Sequence, residues 1–201
     1  MAEPASRSSA TTDHARPRAE AVIACRAVAT PAELAEHFRI RHRVFVAEQG
    51  LFLPAGARRD AHRDAHRDRE AGGTEDHDAH DADPATIHVI GLADGDICGT
   101  VRLYPLPGRG GLWKGDRLAV LAGHRHQGLG GPLVRFAVAA AGLHGGSEME
   151  AYIQPANVTF FEWLGWRRTG ALVSYAGIPH QRMVIGLPPP GEGGPGSAAG
   201  G

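Results

Sequence analysis

Apolar and polar positions along this chain follow two periods. Leu34, Phe38, Ile40, Val44 and Phe45 recur at roughly helical spacing after Thr30-Pro31-Ala32-Glu33. Thr30 is a good N-cap, Pro31 suits the first helical position, and Glu33 stands three residues after the cap, which predicts a helix. Short aliphatic runs predict strands over 21–27, 87–92, 97–104, 112–121 and 149–153, and two closing strands near 166–175 and 181–187. Asp94-Gly95 between the second and third runs is a hairpin signal of the I′ type. A second helix over 128–143 carries Leu129, Leu133, Phe136, Ala137 and Ala140 on one face, and a short third helix covers 155–164. Strands and helices in mixed order give an α/β (α+β) class.

The 201 residues fit one domain. Residues 1–20 and 188–201 lack an apolar period and are read as disordered tails, leaving 21–187 as the folded domain. A net charge of −1 argues against a generally basic nucleic-acid binder. Cys25 and Cys98 make no disulfide framework and read as small buried hydrophobes. No apolar run reaches membrane-spanning length and no signal-peptide core is present, so a cytoplasmic protein is the expectation. Trp113, Trp163 and Trp166 are expected in the core.

Residues 50–84 break the pattern, with a low-complexity His/Asp-rich insertion over 54–84. His62 and His66 at i, i+4, or His77 and His80 beside carboxylates, have metal-ligand character. Without strands to pin them together, a solvated loop is preferred and no metal is expected.

Arg125-His126-Gln127-Gly128-Leu129-Gly130-Gly131 carries the chemistry. A strand runs into it and a helix runs out, so unpaired N–H groups and the positive end of the helix dipole face a phosphate. No Lys-Ser/Thr follows the glycines as in a nucleotide P-loop, and position 133 is Leu where a dinucleotide loop needs its third Gly. The remaining Arg-x-x-Gly-x-Gly resembles the coenzyme-A pyrophosphate loop of the GCN5-related N-acetyltransferases (GNAT). Further segments share the resemblance in order: residues 41–50 (Arg-x-x-Val-Phe-x-x-Glu-Gln), 99–104, 111–120, 154–166 and 177–183. Together they are most similar to the family's nitrogen-starvation N-acetyltransferase subgroup.

That resemblance implies a mixed, mostly antiparallel sheet of about seven strands flanked by helices, whose parallel fourth and fifth strands splay apart to admit acetyl-CoA. The main chain of Leu118, Ala119 and Val120 would pair with the pantetheine amides. One of their N–H groups would also polarise the thioester carbonyl. Arg125, His126, Gln127, Gly128, Leu129, Gly130 and Gly131 would hold the pyrophosphate, with Asn157 and Phe161 flanking the pantetheine arm. Many members of the family carry a Tyr where this chain has Phe161. The expected reaction is direct attack of a small-molecule amine on the thioester, without an acyl-enzyme. Asp116, Glu150, Tyr152 and His180 are the candidates for moving protons; alternation puts Glu150 and Tyr152 on one face of their strand. Arg102 and Arg117 would pair with an acceptor carboxylate or form structural ion pairs. The resemblance admits a homodimer. A catalytically silent CoA-binding module and a metal-binding protein built on the insertion are the alternatives.

Overall fold

The computed structural model describes residues 21–51, 76–175 and 178–189. The N-terminal tail, most of the C-terminal tail, and His62 and His66 lie outside the described residues. Seven strands, Ile23–Ala27 (β1), Ile87–Ala93 (β2), Asp96–Pro105 (β3), Leu112–Val120 (β4), Glu148–Ile153 (β5), Arg167–Tyr175 (β6) and Ile178–Gly186 (β7), form one sheet. Their order is β1-β2-β3-β4-β5-β7-β6, with β4 and β5 parallel and the other neighbours antiparallel. Asp94 and Gly95 have φ of 53° and 93°, the two positive values that a type I′ turn between β2 and β3 requires.

Helix α1, Pro31–Arg41, begins as its sequence predicts: Thr30 Oγ1 accepts from the Glu33 amide at 3.2 Å. It does not simply end. A π-helical segment, His42–Glu48, continues it, and the Leu51 amide then donates to the Phe45 carbonyl at 2.8 Å. π-Turns recur at functional sites because the wider turn re-aims side chains. Here it delivers Phe45, Gln49 and Leu51 to the cleft described below.

Helix α2, Gly130–Leu143, lies on the opposite face of the sheet, where Leu129, Leu133, Val134, Ala137 and Ala141 join the main core. Its first turn sits unusually close to the strands. A Cβ on Gly99 would stand 2.7 Å from Leu129 Cδ2, and one on Gly91 would stand 2.9 Å from Leu129 Cδ1. The two glycines face each other across β2 and β3 and let the helix start dock on bare backbone. Helix α3, Val158–Trp163, follows a 3₁₀ turn at Pro155–Asn157. Trp113 and Trp166 are buried as expected, but Trp163 is 83% exposed. On so short a helix only one face reaches the core, and Val158 and Phe161 occupy it. Pro188 extends the ordered chain past Leu187, its ring and carbonyl lying against Gly142.

Candidate active site

The parallel pair is short. Only Leu112, Trp113 and Lys114 pair with Glu148, Met149 and Glu150. Beyond them the strands part. The resulting cleft, about 160 Å³, is lined by Gly115 to Leu118 of β4, Ala151 to Ile153 of β5, and by Asn157, Phe161 and His180.

A β-bulge shapes the β4 wall. Thr100 pairs with Ala119 and Arg102 with Asp116, so Arg117 and Leu118 together oppose Val101. Arg117 has φ of 53°, a left-handed conformation that costs a non-glycine residue about 1–2 kcal/mol. The extra residue turns Asp116 and Arg117, neighbours in sequence, to the same face: Arg117 meets Asp76 and Asp78 directly, and Asp116 shares Arg102 with Asp78 and Asp81. No sequence period announces this bulge. Past it, the Leu121 amide donates to the Cys98 carbonyl, so alternation directs Ala119 towards β3 and leaves Leu118 and Val120 directed into the gap. Ala119's side chain is buried against Ile40 and Val44.

Three arginines converge behind this wall. Arg41 Nε donates to Asp76 at 2.9 Å and its Nη1 to Asp81 at 2.6 Å. Arg102 donates to Asp116 through Nε and Nη2, both at 2.8 Å, and to Asp78 at 2.7 Å. Arg117 Nε lies 2.8 Å from Asp76. Arg102 and Arg117 are thus held in ion pairs within the chain, one of the two readings open at the sequence level. The solvated-loop reading of 54–84 fails at its C-terminal end. Asp76 is 1% exposed and the Asp81 carboxylate is largely covered, because their carboxylates neutralise guanidinium groups brought from α1, β3 and β4. Burial alone would raise the Asp81 pKa; the hydrogen bond and charge of Arg41, the charge of Arg102 and the Asp78 amide together outweigh it and hold the carboxyl well below the usual range. Asp78 caps the 3₁₀ turn Ala79–Ala82 in a capping box with Asp81. His80 stacks on Tyr104 with centroids 4.0 Å apart, and His77 lies against Phe38 at 4.3 Å. Among the described residues no three His, Cys, Asp or Glu side chains form a metal-holding group.

The predicted phosphate loop is a 3₁₀ turn, Ala122–Gln127, ending at Gly128 in the left-handed region with φ 77°. A Cβ there would meet nothing within 4 Å, so the loop leaves open space at this point. Leu129 caps α2 without a side-chain bond, and Pro132 has no N–H. Among the described residues no backbone acceptor outside the helix takes the amides of Leu129, Gly130 or Gly131. Three N–H groups thus stand at the positive end of a 14-residue helix. Arg125 is engaged: Nε donates to the Val120 carbonyl at 3.0 Å and Nη2 to Glu48 at 2.7 Å. Gln127 Oε1 accepts from His124 Nδ1 at 2.9 Å, while His126 is exposed.

The proton-transfer candidates separate. Asp116, Tyr152 and His180 line the cleft. Glu150 shares a face with Tyr152 but is not part of the lining; it is paired with Arg182 at 2.7 Å. His180 Nδ1 lies 2.9 Å from the Ile178 carbonyl, so it carries the proton and the neutral ring's basic nitrogen is Nε2. Lys114, which the sequence reading passed over, enters the cleft with Nζ 5.0 Å from the Tyr152 ring centroid. Burial pushes the Cys25 thiol up to about 11 and raises Cys98 as well, the opposite of what a nucleophilic cysteine needs.

The Acetyltransferase (GNAT) family model matches residues 55–177, more than half of the chain. The chain belongs to the GNAT acetyltransferase family. As a GNAT enzyme it is an N-acyltransferase that uses acyl-CoA. ElaA of Escherichia coli has the same fold, with a TM-score of 0.64 at 17% identity over 81% of this chain and 99% of that one. An acyl-CoA N-acyltransferase from Pseudomonas aeruginosa superposes with a TM-score of 0.62 at 22% identity, covering 82% of this chain and 98% of its own. A variant of the spermidine N-acetyltransferase SpeG from Vibrio cholerae gives a TM-score of 0.57 at 14% identity, with 82% and 93% covered. The GNAT sheet accounts for the short β4–β5 pairing. Among the described residues no helix is long and apolar enough to cross a membrane.

Proposed function

We propose that this enzyme moves an acyl group, acetyl in the simplest case, from its CoA thioester to the amine of a small molecule by direct attack. The observation that carries this reading is the conjunction of a parting β4–β5 pair with uncapped amides at the start of α2. The amides of Leu129, Gly130 and Gly131 bind the diphosphate, and the open space at Gly128 admits it. Leu118 in the cleft wall, and Val120 through its N–H beyond it, offer main-chain groups to the pantetheine, with Asn157 and Phe161 opposite.

An alkyl amine is mostly protonated at neutral pH and attacks only after losing a proton. Asp116, held by two Arg102 N–H groups, is a fixed negative charge in the cleft wall that positions the ammonium form. His180 Nε2 is the group suited to take the proton, and the Tyr152 hydroxyl is suited to donate one to the departing thiolate. Glu150 orients Arg182 and acts at a distance from the reacting atoms. Within the family, the segments 41–50 and 177–183 support membership of the nitrogen-starvation subgroup. Nothing in this scheme needs a metal or a second copy of the chain, although a homodimer is compatible with it.

Calorimetric titration of the full chain with CoA, followed by an amine panel with acetyl-CoA and free-thiol detection, tests the proposal. Binding with amine-dependent thiol release is expected. Absence of CoA binding overturns it; binding without turnover on any amine makes the protein a CoA-binding module.

A further inference from the structure

The cleft has two chemically distinct halves. On the α1 side of the sheet its wall is mixed, with Phe45 and Leu51 beside Lys114, Asp116, Tyr152 and His180. On the α2 side it is continuous with the main core. Val134 and Ala137 of α2, Met149 and Ala151 of β5, Phe161 of α3, and Trp166 line it there, and all six belong to the principal apolar cluster. Gly115 forms the passage between the halves. It is the first β4 residue past the last pair with β5, and it has no side chain; a Cβ would stand 3.1 Å from Met149 Sδ.

We infer that this apolar half holds the hydrocarbon part of an acyl donor several carbons long, so that the enzyme's donors extend beyond acetyl-CoA. The inference rests on the reading of the cleft as the acyl-CoA site. An acetyl group carries one methyl beyond its carbonyl and covers little of a wall built by six apolar side chains. The whole cleft measures about 160 Å³. An apolar cavity of about 150 Å³ accepts a molecule the size of benzene. With the thioester end occupying part of the space, a chain of at most about six carbons fits. Small residues mark the line such a chain would follow: Gly115 at the passage, Ala151 beside it, and Ala137 on the facing helix. Larger side chains at these positions would fill the space, which Trp166 also borders.

The test is a calorimetric series on the full chain with CoA and its acetyl, butyryl, hexanoyl, octanoyl and dodecanoyl thioesters. Burial of each added methylene predicts up to about a fourfold gain in affinity, ending abruptly when the pocket is full. The heat-capacity change should grow more negative over the same steps. A flat or falling series with intact CoA binding overturns the inference and leaves the acyl-CoA reading standing. Failure of CoA and every thioester to bind overturns both. Ala137→Phe, and independently Ala151→Leu, should collapse the hexanoyl-to-acetyl affinity ratio towards one. Using two sites, each checked by its melting transition, guards against one variant failing to fold. A ratio that survives in both folded variants places the chain elsewhere and overturns the assignment.

Discussion

Arg41 and Asp76 form an ion pair in which both side chains are essentially withdrawn from solvent, with Nε 2.9 Å from Oδ2. A second Arg41 nitrogen takes the Asp76 carbonyl at 2.6 Å. The pair fastens the C-terminal end of the 54–84 insertion to the last turn of α1, and Asp76 also reaches Arg117 on the bulge. Removing one partner from a buried pair strands the other charge, which typically costs about 3–5 kcal/mol. Asp76→Ala should therefore lower unfolding stability by that order, read by denaturant titration. Because Arg117 loses a partner too, the β4 wall should loosen and CoA affinity should fall with it. A loss below about 1 kcal/mol would show that the arginines find water instead.

Gly99 predicts a link from packing to binding. Adding a methyl there drives into Leu129 Cδ2 at 2.7 Å and Leu133 Cδ1 at 2.9 Å. Leu129 is both a fully buried core residue and the N-cap of α2, so a backbone shift there also moves the uncapped amides at the helix start. Gly99→Ala should cost about 1–3 kcal/mol of stability by overpacking. It should also weaken CoA binding, although Gly99 is absent from the cleft lining. Unchanged affinity in a destabilised variant would uncouple the two.

Local signals made most of the elements legible. The Thr30 cap and the Asp94-Gly95 turn each encode their geometry within a few residues, and each forms as read. The family's pattern supplied the β4–β5 parting. What stayed hidden is non-local. The acidic residues of 76–81 look like solvated charge until Arg41, Arg102 and Arg117 arrive from three other elements. Nothing near Arg117 signals a left-handed residue, since Arg has no preference for one. The α1 pattern was read as one helix because its apolar spacing does not distinguish an α-turn from the π-turn that follows. Residue type alone predicts Trp163 inside, and a six-residue helix has too few positions for its period to correct that.

The open space at Gly128 makes charge, rather than bulk, the sensitive variable of the loop. Gly128→Glu should abolish binding of CoA measured by calorimetry, by placing a carboxylate where the diphosphate sits. The φ of 77° adds a backbone penalty of about 1–2 kcal/mol for any non-glycine residue. Gly128→Asn, a residue that tolerates this conformation and carries no charge, isolates the electrostatic part and should lose far less affinity. Equal losses in the two variants would assign the effect to backbone strain.

Glu48 pairs with Arg125, the guanidinium that the proposed diphosphate would otherwise engage. The pair is 2.6 Å apart and both side chains are well exposed, so its net worth lies within about 0.2–1 kcal/mol. Glu48→Gln should free the guanidinium for the diphosphate and tighten CoA binding by at most about fivefold. The gain should shrink as salt rises, since screening weakens both interactions. Weaker binding in Glu48→Gln would mean that Glu48 holds Arg125 in its productive position.

His37 sets an acid limit on stability. Its ring is buried, with Nδ1 3.2 Å from the Val89 carbonyl and Nε2 3.4 Å from His88 Nδ1. Burial, reinforced by His88 and Arg41, lowers its pKa to about 3 from an ordinary 6.5. Between those values the unfolded chain binds a proton that the folded chain refuses. Stability is therefore constant above pH 6.5 and declines as the pH falls towards 3, with a slope of up to about 1.4 kcal/mol per pH unit for this one site. His88, also lowered by burial, steepens the same limb. Asp81 contributes only lower down, where its carboxyl begins to protonate in the unfolded chain. His37→Asn keeps an N–H donor near the Val89 carbonyl and removes the titration. Urea unfolding at pH 7.5 and at pH 5 should show the native chain losing stability over that interval and the variant losing measurably less. Parallel losses in the two proteins would exclude His37 as the source.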